Sequence, residues 1–130
     1  MSWHQFDNGN TIGQKGHIDG IIIFDEEHEL GARVTIEKGG RIYPKLFSTK
    51  AQIYGGYFSM SCHYTSTEAH AKQDVAIIKT EFEKALAIIA KTPPKSKRNY
   101  ENLSKIWLEL YNLQLSETFS KLLQNPETYK

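Results

Sequence analysis

Hydrophobic residues recur along this chain with two different periods, and the change of period divides it. From Ala32 to Glu37 the pattern alternates strictly: Ala32, Val34 and Ile36 fall on one side, Arg33, Thr35 and Glu37 on the other. That is the signature of a half-buried strand. Before it, Ile21–Phe24 is wholly apolar and predicts a strand buried on both faces or central in its sheet. The run Asp25, Glu26, Glu27, His28 and Glu29 reads as an acidic, solvated turn closed by Gly31. Lys38-Gly39-Gly40 predicts a tight hairpin. A further strand, Arg41–Phe47, is expected as an edge or bulged strand because Pro44 cannot donate to a ladder. Ser48–Lys50 then reads as a turn, and Ala51–Tyr64 as a long strand bent at Gly55-Gly56. Beyond the bend, alternation sets Phe58, Met60, Cys62 and Tyr64 against Tyr57, Ser59, Ser61 and His63.

After Tyr64 the period becomes helical. Thr65 and Glu68 have capping-box spacing. Val75, Ile78, Phe82, Ala85 and Ile89 follow at steps of three and four, one stripe of a helix with Lys72, Lys79 and Glu83 expected opposite. Pro93-Pro94 ends this helix. Two shorter helices are predicted over Tyr100–Leu113 and Ser116–Gln124, with apolar faces built on Leu103, Ile106, Trp107 and Leu110, and on Leu115, Phe119, Leu122 and Leu123. The expected fold is therefore α+β: an antiparallel meander of about four strands, followed by one long and two shorter helices, in a single domain spanning 1–130 with a strand-rich part (1–64) and a helical part (65–130). The long helix should cover the face carrying Val34, Ile36, Ile42, Leu46, Phe58 and Met60.

Composition narrows the function classes. With 130 residues the chain can bury a sizeable core without a disulfide or metal staple. The lone Cys62 excludes an intramolecular disulfide. A net charge of +1 gives no global field for nucleic acid or an anionic membrane. The small basic group Lys91, Lys95, Lys97 and Arg98 reads as a solvated linker, so no nucleic-acid partner is expected. The first residues lack the basic and apolar regions of a secretory signal, and the longest apolar run is far short of a membrane span. The expected address is the cytoplasm, with no membrane partner.

Specific chemistry is sparse. Gly9, Gly13, Gly16 and Gly20 do not join a strand to a helix in the phosphate-cradling manner. No two of the five histidines stand at His-x-x-x-His spacing, and the adjacent Cys62 and His63 would point to opposite faces of a strand. No cofactor and no metal is expected. Cys62 reads as a small core residue. What stands out is the sheet face left uncovered by the long helix, where Tyr, Arg and His mix with small hydroxyl residues, a composition typical of protein contact sites. Arg33, Tyr43, Tyr57 and His63 are its candidate binding residues.

The segment Gly16–Gly40, with Asp25-Glu26-Glu27-His28, Gly31-Ala32-Arg33 and the later Ile53-Tyr54-Gly55, resembles small bacterial α+β proteins that carry no established activity. The resemblance covers about the first 90 residues. Proteins of this size and layout include immunity proteins that neutralise a toxin, so what it implies is a non-catalytic interaction module of immunity type, with a protein partner or self-association. The alternative is a small enzyme drawing on His28, His63 and the acidic turn, which requires those groups to converge on one pocket.

Overall fold

The structure, a computed structural model, describes residues 2–55 and 58–114. Five strands and two α-helices follow in order: β1 (Trp3–Gln5), β2 (Ile21–His28), β3 (Ala32–Lys38), β4 (Phe47–Ile53), β5 (Phe58–Thr65), α1 (Glu68–Ile89) and α2 (Tyr100–Gln114). The strands form one antiparallel meander in the order β1-β2-β3-β4-β5. The α+β layout expected from the change of period is thus present, with five strands. The third expected helix, over Ser116–Gln124, lies outside the described residues.

One face of the sheet is covered. Ala32, Val34 and Ile36 of β3 and Ala51 and Ile53 of β4 are buried there, with Met60 of β5, under Ala71, Val75, Ile78, Phe82, Ala85 and Leu86 of α1. Ile106 and Leu110 of α2 complete the same core. Phe58 meets Phe82 edge-to-face at 5.4 Å between ring centres, a favoured aromatic geometry. Among the described residues, no helix is long and apolar enough to cross a membrane.

Several boundaries move for identifiable reasons. β1 is too short to carry an alternation of its own, yet Trp3 packs edge-to-face on His28 at 5.2 Å and donates from Nε1 to Glu83 of α1. Asp25–His28, expected in a solvated turn, continue β2, with Asp25 and His28 buried. Acidic residues enter a strand here because each has a partner: Lys79 meets Glu26, the Tyr54 hydroxyl donates to Glu27, and Arg33 clamps Asp25. Residues 41–46 form a loop in place of the expected strand, which leaves Ile42 exposed and puts Pro44 where no ladder bond is required. Ser48–Lys50, expected as a turn, lie inside β4. The cap of α1 is Thr67, whose hydroxyl accepts from the His70 amide, two residues later than the expected Thr65. Lys79 and Glu83 flank the apolar stripe of α1, because both reach the β1–β2 side of the sheet.

Candidate functional site

Cross-strand register decides which side chains share a face. Asp25 stands opposite Thr35, and Glu27 opposite Arg33. Glu37, Thr35 and Arg33 stand opposite Ser48, Lys50 and Gln52. Gln52 stands opposite Ser59, and Ser48 opposite Tyr64. Residues directly opposite in an antiparallel pair project to the same side. Together they form the polar face, turned away from α1.

The candidate residue Arg33 sits at the centre of this face. Its Nε donates to Asp25 Oδ1 at 2.9 Å and its Nη2 to Asp25 Oδ2 at 2.7 Å, a bidentate pair. Asp25 also accepts from the hydroxyls of Thr11 (2.8 Å) and Thr35 (3.1 Å). The guanidinium lies 3.6 Å from the centre of the Phe6 ring, within cation–π range. These hydrogen bonds and the Asp25 charge raise the Arg33 pKa above its already high ordinary value. Next to it, burial and the hydrogen bond to Glu27 push the Tyr54 phenol up, so it remains a neutral donor.

The segment 13–20 folds back over the β2–β3 side of the face. Glu37, buried at 4% exposure, holds it by accepting at Oε1 from the amides of Ile18 (3.2 Å) and Gly20 (3.1 Å). Gly16 permits this closeness, since a Cβ there would lie 2.2 Å from the Glu37 carboxyl carbon. Between segment and sheet opens a cleft of about 250 Å³ lined by His17, Ile22, Arg33, Thr35, Glu37, Lys50 and Gln52, with the Ala51 backbone strand beneath. None of these side chains apart from Ile22 is apolar and large, so what the cleft offers is mainly hydrogen-bonding groups and charge.

The other candidate residues are not brought to this cleft. Tyr43 lies in the 41–46 loop, exposed, with its ring edge-to-face against Tyr64 at 4.7 Å. It closes the far end of the polar face. Tyr57 lies outside the described residues. His63 sits on the covered face. The β4–β5 register shifts between Thr49 and Ala51: Ala51 stands opposite Met60, but Thr49 opposite His63. One extra residue in β5 reverses the alternation beyond Met60. His63 Nδ1 consequently lies 3.5 Å from Asp74 Oδ2 of α1, and Tyr64 turns to the polar face in its place. Burial raises the Asp74 pKa above the ordinary carboxylate value, against the opposing pull of His63 and His70.

His28 and His63 do not converge. Both are on the covered face, but His28 ends β2 opposite Ala32, whereas His63 lies towards the other end of β5. Three strand spacings, about 14 Å, separate them across the sheet alone. The acidic residues of β2 are engaged by Arg33, Lys79 and Tyr54. Among the described residues, no group of three His, Cys, Asp or Glu side chains is arranged to hold a metal ion.

Comparison of the chain with family models, curated proteins and solved structures finds no match. Sequence alternation identified Arg33 and the polar face. It could not identify Lys50, Gln52 or His17, because their joint placement depends on where β4 begins and on the fold-back of segment 13–20.

Proposed function

We propose that this chain is a non-catalytic protein-interaction module, of bacterial immunity type and working in the cytoplasm, that docks a protein partner on the polar face of its sheet. The observation that carries this reading is the asymmetry of the sheet. Among the described residues, α1 and α2 share the core on one side, while the other side presents a polar cleft whose central arginine is fixed by Asp25 and Phe6. A surface with pre-positioned Arg and Tyr groups needs little ordering on association, which favours binding. The separation of His28 from His63 weighs against the enzyme reading, since general acid–base work needs such groups within reach of one substrate. The immunity-type role rests on size, layout and the resemblance of the first ~90 residues.

The test uses site-specific photo-crosslinking in the source organism. A benzoylphenylalanine probe replaces Ser59, exposed on the polar face, or Ala87, exposed on the outside of α1. The reading expects a discrete adduct, with another protein or a second copy of the chain, from the Ser59 position only. An adduct confined to the Ala87 position, or none from either, would refute it.

A further inference from the structure

Within the cleft, almost every charge is already engaged by its own fold, and Lys50 is the exception. Asp25 is enclosed, with no exposed side-chain surface, and its charge is met by Arg33. Glu37 Oε1 is occupied by the Ile18 and Gly20 amides. Lys50 is half-buried, stands between Ser48 and Gln52 on the floor of the cleft, and has neither an ion pair nor a side-chain hydrogen bond among the described residues. Lys50 is thus a cation on the cleft floor that the fold itself does not pair, and a ligand carboxylate placed there gains a charge-assisted hydrogen bond without displacing an internal partner.

We propose that this cleft is an acidic-peptide subsite: Lys50 receives an Asp or Glu side chain of the partner, while Arg33, Gln52 and His17 supply further donors. Arg33 uses two of its five N–H donors on Asp25, and three remain. The second carboxylate oxygen of Glu37 has no hydrogen bond among the described residues. It sets a further requirement, that the ligand bring a donor beside its carboxylate. A peptide does so through its own backbone N–H groups, whereas a bare carboxylate such as acetate does not. The volume of about 250 Å³ suits one or two residues of such a segment. This inference rests on the binding-face reading and names the chemistry of the partner at that face.

The test is a titration of the isotope-labelled chain with hexaglutamate, followed by amide and side-chain NMR at low ionic strength, where charge pairing is least screened. Parallel arms use acetate and inorganic phosphate. Hexaglutamate is expected to shift Lys50, Gln52 and His17 signals saturably and at least tenfold more tightly than acetate or phosphate. Lys50→Gln should weaken it tenfold or more at an unchanged melting temperature, and Lys50→Arg should hold affinity within about threefold, since a cation remains there. Hexaglutamate that leaves the cleft signals unmoved, a Lys50→Gln variant that binds as well as wild type, or acetate binding equal to hexaglutamate would each overturn the proposal. If those results come with a persistent Ser59 crosslink, the acidic subsite alone is wrong. If the crosslink is lost as well, the binding face itself is wrong.

Discussion

Asp25→Asn is the most informative single change, because Asp25 ties three separate parts of the chain together. From its place in β2, its carboxylate accepts twice from Arg33 and once from Thr35, both in β3, and once from Thr11, just ahead of the segment 13–20 that folds over the polar face. The side chain is wholly enclosed, while that of Arg33 is about a quarter exposed. Asparagine has nearly the same shape but only one acceptor oxygen, and its amide group turns donors against donors. Breaking a buried pair by neutralising one partner costs about 3–5 kcal/mol, mostly because the other charge is left uncompensated. The exposure of Arg33 lets water recover part of that, so a loss near 3 kcal/mol is expected. Urea unfolding followed by circular dichroism measures it as a shifted midpoint at an unchanged slope. Amide exchange should accelerate around Thr11, whose hydroxyl ties the chain just ahead of the segment 13–20 to Asp25. In the double variant Asp25→Leu/Arg33→Met both charges disappear, and the loss should be at least about 2 kcal/mol smaller than the sum of the two single losses. A cost below about 1 kcal/mol for Asp25→Asn, or strict additivity in the cycle, would refute the claim that this pair organises the face.

Phe82→Ala should cost about 3–5 kcal/mol in the same assay, because Phe82 is 1% exposed and packs on Phe58; an unmoved midpoint would contradict the packing of α1. Gly20→Ala should destabilise by about 1–3 kcal/mol, since its Cβ would lie 2.6 Å from the backbone oxygen of Gly39; a melting temperature equal to wild type would contradict the close approach. Asp74 has a raised pKa in the folded state, so the folded chain holds that proton more tightly than the unfolded one. Its contribution is fully present below about pH 4, the unfolded value, and is lost as pH rises through the raised native value. Asp74→Asn removes that titration, so the stability difference between variant and wild type should move in the variant's favour as pH rises through this window. A difference that is flat with pH, or moves the other way, would refute the assignment.

The layout of the fold was legible because its two periods are clean. Alternation at Ala32–Glu37 and the stripe Val75, Ile78, Phe82 and Ala85 reflect burial on one face only, and that is the signal a sequence carries most strongly. Where the expectation failed, pairing outweighed local chemistry. Asp25–His28 looked solvated because acidic residues usually are, yet Arg33, Lys79 and Tyr54 come from three other elements to meet them. Their arrival is a tertiary fact that no window around residue 25 contains. His63 is the sharper case. Strict period two assigns it to the face of Ser59, and one extra residue in β5 transfers it to the face of Asp74. No glycine or proline marks that bulge within β5, so the alternation gave no warning. The same reasoning explains why alternation places Arg33 on the polar face and does not place Lys50 there. Arg33 belongs to an uninterrupted alternating strand. Lys50 follows Ser48-Thr49, a pair that favours turns in isolation but here extends β4.

The central claim is that the polar face, and not the helical side, engages the partner. The most direct measurement takes the protein captured at the Ser59 probe, titrates it unlabelled onto the isotope-labelled chain, and maps the amide shifts residue by residue. Perturbations should concentrate at His17, Arg33, Lys50, Gln52 and Ser59, with the exposed side of α1 and the exposed side of α2 at Trp107 and Tyr111 unchanged. A footprint centred on α1 or α2, with the cleft residues unmoved, would contradict it.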